Sequence, residues 1–260
     1  MRFINNVDRF RSRMQEGRIC VGTSVQVTDP IVSELAAEAG NDFVWYEMEH
    51  SYLDLAGLAA HLMALRGTQA APIVRVAWND PVIIKPIIDL APAGIVVPMI
   101  RTADEALQAV QACRYPPVGQ RGFGPMRNMY GMDSMKEYLD VAAEQVMVFA
   151  QVEHIDAVRN LDDILATPGL DGIVLGRNDL SGSMGKLGQH SDPELLEAID
   201  TVFAKARQSD LFIGVSIGPN LDTVREWRDK GVHWFALGED LGHILDGSKA
   251  VADAVHELDS

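Results

Sequence analysis

"FVWYEMEHS", residues 43–51, opens as an unbroken apolar strand and within four further positions offers Glu47, Glu49 and His50. Such a strand belongs in a parallel sheet with both faces covered. Its polar end has two readings: a chain leaving the core for water, or the rim of an active site. The surrounding sequence repeats the pattern. Short apolar runs rich in β-branched residues occur at "ICVGTSV" (19–25), "PIVRV" (72–76), "GIVVP" (94–98), "VMVFAQVE" (146–153), "GIVLG" (172–176), "FIGVSI" (212–217) and "HWFALG" (233–238). Helical patterns fill the gaps. Eight strands alternating with helices in 260 residues predict a closed (β/α)8 barrel, an α/β fold with residues 1–260 as one domain. A doubly wound sheet is the alternative that periodicity leaves open.

Helix ends carry their own signals. Asp29-Pro30 and Asp80-Pro81 each place a capping acid before a proline, Gly40 closes the first of these helices, and "TADE" (102–105) reads as a capping box. The opening "MRFINNVDRFRSRMQEGR" puts Phe3, Val7, Phe10 and Met14 on one helical face, expected to cover an end of the core; Asp8 and Glu16 argue against a transit peptide. The segment Glu239 to Leu258 reads as a partly apolar helix able to pack on a neighbouring chain. The long Gly-, Pro- and Met-rich connection 114–139 is expected over the active face or at a subunit interface.

Composition narrows the function. A net charge of −15 argues against broad nucleic-acid or anionic-membrane binding, and no apolar run is long enough to span a bilayer. Cys20 and Cys113 lie far apart, outside any CxxC pattern, as expected of reduced thiols in a cytoplasmic protein. An anionic small substrate would need a metal ion or a placed arginine to reverse the local field.

In a barrel the strand C-termini converge, and here they bring Glu47, Glu49 and His50, Arg75, Glu153 and Asp179. Singly, each has an ordinary structural reading. Together, the Glu153 and Asp179 carboxylates suit a hard octahedral ion such as Mg2+ or Mn2+, Arg75 could hold a developing oxyanion, and His50 could move protons near neutral pH. "LGRNDLSGSMG" offers free backbone N–H groups for a carboxylate. "GFG" (122–124) and "MGK" (184–186) lack the rest of a dinucleotide or P-loop motif. No lysine ends a strand where a Schiff base would form.

The acidic-x-Glu-His stretch 47–50, "VRVAWND" (74–80), "VPMI" (97–100), "YPPVGQRGFG" (115–124), "QVE" (151–153) and "GRNDLSGSMG" (176–185) resemble, in order, the signatures of the HpcH/HpaI aldolases. These are metal-dependent class II aldolases of the pyruvate/phosphoenolpyruvate barrel superfamily. The resemblance implies that Glu153 and Asp179 bind a divalent ion (Mg2+, Mn2+ or Co2+) that chelates a 2-oxo acid. It further implies that Arg75 stabilises the enolate oxygen, that His50 is the acid/base with Glu47 as its orienter and Glu49 near the metal, and that backbone from Gly176 through Asn178 and Asp179 holds the substrate carboxylate. Asp89 matches an aspartate contributed by an adjacent subunit, and family precedent is a homohexamer with swapped C-terminal helices. The expected reaction is retro-aldol cleavage of a 4-hydroxy-2-oxo acid to pyruvate and an aldehyde; oxaloacetate decarboxylation or CoA-ester lysis is the alternative. Two positions depart from the pattern: Glu47 stands where Asp is common, and "GPADLS" becomes "GRNDLS". The latter brings in Arg177, either a surface ion pair or a contact for a second acidic group.

Overall fold

All eight apolar segments are strands, and the eighth pairs with the first. The computed structural model describes residues 3–259. Its strands are β1 (Cys20–Val25), β2 (Phe43–Glu47), β3 (Ala71–Arg75), β4 (Gly94–Val97), β5 (Met147–Val152), β6 (Gly172–Leu175), β7 (Phe212–Ile217) and β8 (Trp234–Glu239). They are parallel and follow chain order around a closed barrel, with Cys20 registered on Trp234 at the seam. Closure selects the (β/α)8 barrel over the open doubly wound sheet. The register also places Glu47 opposite Arg75, so the ends of β2 and β3 present opposite charges side by side.

Burial explains the strand composition. β2, β4, β5 and β6 are buried along their whole length, because helices cover one face and the barrel interior fills the other. At the N-terminal end of the barrel, Trp234 packs with Phe43 and Phe149 at ring distances of 5.2 Å, with Trp45 at 5.8 Å and with Phe10 at 6.1 Å. Gly214 makes room for this indole: a Cβ there would lie 2.0 Å from Trp234 Cε2. The helix Val7–Gln15 closes that end with Val7, Phe10 and Met14 buried, as its spacing predicts. Its entry is pinned by Asn5 Nδ2, donating to the carbonyls of Pro92 (2.7 Å) and Gln145 (2.9 Å), and by Asn6 Nδ2, donating to that of Ala70 (2.9 Å).

The capping signals are realised. Asp80 Oδ1 accepts from Val82 N at 2.7 Å, Asp29 Oδ1 from Ile31 N at 3.1 Å, and Thr102 with Glu105 forms a reciprocal capping box. Each such cap contributes about 1 kcal/mol.

Two expected elements have instructive positions. The connection 114–139 joins the helix Ala103–Cys113 to the start of β5, so it lies at the N-terminal end of the strands, away from this chain's own active face. It is ordered by buried polar anchors: Arg114 pairs with Asp171 (3.2 Å), Arg121 with Asp89 (2.8 Å), and Arg127 donates to the Leu62 and Leu90 carbonyls (2.8 Å each). Of the two expectations, the lid over its own site is excluded by topology. Val118, Phe123 and Met126 on this segment stay exposed. The last long helix, Asp240–His256, leaves β8 with Asp240 as its buried residue, and Leu241, Ile244, Leu245, Val251 and Val255 are exposed. No described helix is long and apolar enough to cross a membrane.

Candidate active site

A cleft of about 520 Å³ opens at the C-terminal ends of the strands, where the polar strand ends meet. Glu47 organises one wall. Its carboxylate, 3% exposed, ends β2 inside the barrel and must be compensated there. Glu47 Oε2 accepts from Arg75 Nε at 2.6 Å and from Trp45 Nε1 at 3.2 Å, and lies 2.5 Å from Arg75 Nη2. Its other oxygen accepts the backbone N–H groups of Glu49 (2.7 Å) and His50 (3.0 Å). One oxygen of Glu47 therefore takes two N–H groups of the guanidinium, while the other shapes the turn that carries His50.

Arg75 is held from a second side by Glu49, with Nη1 3.1 Å from Glu49 Oε2. The guanidinium also lies 5.6 Å from the Trp45 ring centre. It is fixed in place but not spent, since a developing oxyanion could share its N–H groups. The His50 side chain is 64% exposed, with its Nε2 3.7 Å from Glu49 Oε1. The sequence reading of Glu47 as orienter of the His50 ring is thereby revised. Glu47 grips the main chain, and the acid beside the ring is Glu49.

Glu153, immediately after β5, lies against the cleft-lining residues Gln151 and Gly176. It is 1% exposed; its Oε1 accepts from Met99 N (2.7 Å) and its Oε2 from Gln151 Nε2 (2.6 Å). Met99 donates from a left-handed backbone, φ 57°, a strained conformation for a side chain of this size. Burial pushes the Glu153 carboxyl up to about 7; the Glu49 and Asp179 charges add to this, while the Met99 N–H and Arg75 oppose it. Burial raises Glu49 as well. Gly176 allows the approach of Glu153, since a Cβ there would sit 2.5 Å from Oε2. Asp179 lies in the first turn of the helix Arg177–Ser183 and lines the cleft with Gly176 and Asn178.

The donor set fits a hard divalent ion. Glu49, Glu153 and Asp179 are mutually repelling carboxylates with one guanidinium among them, and Gln151 Oε1 is buried without a partner. The described residues contain no group of three or more His, Cys, Asp or Glu side chains spaced to hold an ion alone. Glu153 and Asp179 would thus supply two oxygens, and water and substrate the rest, as suits Mg2+ or a similar ion.

Two sequence-derived candidates lie elsewhere. Asp89 caps the C-terminus of the helix Pro81–Ile88, at the N-terminal end of the barrel, so one chain does not bring it to its own cleft. Arg177 lines the cleft but makes no ion pair among the described residues; its guanidinium lies 6.0 Å from the Trp227 ring centre, and burial lowers its pKa. The surface ion-pair reading of Arg177 is therefore not realised. Sequence reading missed the wall built from β1 and β8. Asp240 Oδ2 accepts from Gln26 N (3.0 Å) and Val27 N (3.1 Å), Gln26 Nε2 donates to Glu239, and His243 Nε2 meets Thr23 Oγ1 at 3.0 Å. The polar run after Val25 and the acid pair ending β8 were the available signals.

An acidic cleft at the C-terminal mouth of a (β/α)8 barrel, carrying a clamped arginine and a histidine, lies where barrel enzymes place their chemistry. Residues 22–247 match the sequence profile of the HpcH/HpaI aldolase/citrate lyase family, and the chain belongs to that family. It is 34% identical to a 5-keto-4-deoxy-D-glucarate aldolase of Citrobacter koseri over 95% of this chain and 96% of that one. Among solved structures it resembles a HpcH/HpaI aldolase/citrate lyase family protein from Burkholderia cenocepacia, at TM-score 0.88 and 29% identity over 97% of this chain and 99% of that one. It also resembles Citrate Synthase SbnG, at TM-score 0.86 and 28% identity over 96% and 98%. The chain is a carbon–carbon lyase of the aldolase type.

Proposed function

We propose that the protein catalyses reversible aldol cleavage of a 4-hydroxy-2-oxo acid to pyruvate, or a related 2-oxo acid, and an aldehyde, with Glu153 and Asp179 as ligands of Mg2+, Mn2+ or Co2+. The observation that carries this reading is the juxtaposition of the Glu47–Arg75–Glu49 clamp with the buried, charge-strained Glu153 carboxylate. A divalent ion bound there supplies a Lewis acid that polarises the 2-oxo group. The chain's own groups do the rest. Arg75 N–H groups donate to the enolate oxygen as the C3–C4 bond breaks. His50 takes the C4 hydroxyl proton, through water, as the aldehyde forms, and a proton returned to C3 completes pyruvate. Backbone N–H groups at Asn178 and Asp179 hold the substrate carboxylate. The keto-deoxy sugar acid named for the Citrobacter koseri relative is of the same substrate class.

The exposed apolar faces of the final helix and of the 114–139 connection support a homo-oligomer, in keeping with the hexamer of family precedent. In such an assembly Asp89, beside Arg121, would serve a neighbouring chain's site. The reaction is tested by assaying a racemic 4-hydroxy-2-oxo acid and oxaloacetate side by side, with pyruvate read through lactate dehydrogenase. Faster pyruvate release from the hydroxy-oxo acid is expected. Turnover of oxaloacetate alone would replace the aldolase reading by a decarboxylase.

A further inference from the structure

Arg177 is the cation of this cleft whose charge the protein does not use. Three other arginines of low exposure are committed: Arg75 to Glu47 and Glu49, Arg114 to Asp171, and Arg121 to Asp89. Arg177 has no carboxylate partner among the described residues, although Glu239 and Asp246 line the same cleft. Its guanidinium is supported by the Trp227 ring, 6.0 Å away, and Trp227 is itself fixed against Phe203 at 5.3 Å. Cation–π attraction holds a guanidinium near an aromatic ring without using up its N–H groups, which stay available to a carboxylate. Arg177 and Arg75 are the Arg or Lys side chains among the described cleft residues, and of the two it is Arg177 that has no carboxylate partner.

The size of the cleft bears on which ligand this is. About 520 Å³ falls within the range that encloses drug-sized molecules, well beyond the needs of a three-carbon oxo acid. Arg177 and Asp179 line this same cleft, so a ligand headed by a 2-oxo acid at Asp179 has room to extend toward the Arg177 guanidinium.

We propose that Arg177 is a specificity-determining residue that binds a carboxylate at the far end of the substrate's aldehyde half, and so selects diacid substrates over neutral-tailed ones. The inference rests on the 2-oxo acid reading above. Its test uses two uncleavable six-carbon probes, 2-oxoadipate and 2-oxohexanoate, which share the 2-oxo acid head and differ in the terminal carboxylate. Each is titrated calorimetrically into the Mg2+-supplied protein. The wild type should bind 2-oxoadipate about ten- to a hundredfold more tightly, the range of a charge-assisted hydrogen bond. Arg177→Met should bring that ratio close to one, and Arg177→Lys should leave an intermediate value. A ratio unchanged in Arg177→Met, or near one in the wild type, overturns the role of Arg177 and leaves the 2-oxo acid reading standing. Failure of the wild type to bind either probe removes both.

Discussion

Replacing Glu153 by Gln should stabilise the metal-free protein while abolishing its activity. The carboxyl is raised from its ordinary 4.5 to about 7, chiefly by burial. At about 1.4 kcal/mol for each tenfold change in proton affinity, ionising it in the fold costs about 3 kcal/mol. Between those two pH values the folded protein holds a proton that the unfolded chain releases, so this group makes stability fall as pH rises from 4.5 through 7. Gln is neutral throughout and nearly isosteric. Its oxygen can keep the Met99 N–H, and its amide can donate to Gln151 Oε1, which is buried without a partner, once the Gln151 amide turns over. In EDTA the two proteins should melt at similar temperatures at pH 5. At pH 8 the variant should gain up to about 3 kcal/mol, roughly 5 to 10 °C in a chain of this size. Adding Mg2+ should raise the wild-type midpoint and leave that of the variant unmoved. A variant no more stable than wild type at pH 8 would refute the argument that Glu153 is a carboxylate held under electrostatic strain.

Arg75→Lys keeps a charge beside Glu47 but loses the planar set of N–H donors that meets Glu47, Glu49 and an oxyanion together, so kcat/KM should fall about 10²- to 10³-fold with the circular dichroism unchanged; near wild-type turnover would exclude Arg75 from the chemistry. Arg75→Ala is the poorer probe, because it strands the buried Glu47 carboxylate and the partly buried Glu49 and should destabilise the fold by about 3–5 kcal/mol. Asp240→Ala leaves the Gln26 and Val27 N–H groups without their acceptor, and a loss of about 1–3 kcal/mol in urea unfolding is expected. His61 is buried between Ser33 Oγ (2.8 Å) and the Val27 carbonyl (2.8 Å), and burial lowers its pKa. The unfolded chain therefore takes up a proton first, and stability should decline as pH falls below about 6.5; His61→Gln should lessen that slope in urea midpoints measured from pH 5 to 8.

The barrel was legible because its strands are largely buried on both faces and so appear as apolar runs. Phe43–Glu47 and Phe212–Ile217 fall where the runs place them, and the caps at Asp80 and Thr102 follow from chemistry local to a few residues. The site was legible where a polar residue interrupts or ends such a run, as at Arg75 and Glu153. What stayed hidden depends on side chains meeting across the barrel. That Glu47 holds the His50 backbone instead of its ring, and that Gly176 clears space for Glu153, are facts of packing with no sequence period. The β1–β8 wall was overlooked for a related reason. Thr23, Gln26 and His243 are individually unremarkable polar residues, brought together only by closure of the seam.

The central claim is that this cleft, once supplied with a divalent ion, generates the enolate of a 2-oxo acid. Proton exchange at the methyl group of pyruvate in D2O, followed by NMR, tests it without knowledge of the aldehyde. The account predicts loss of the methyl proton signal with Mg2+, Mn2+ or Co2+, near-background rates in EDTA, and none in Glu153→Gln. A wild-type protein that binds the ion and pyruvate yet exchanges no methyl protons would contradict it.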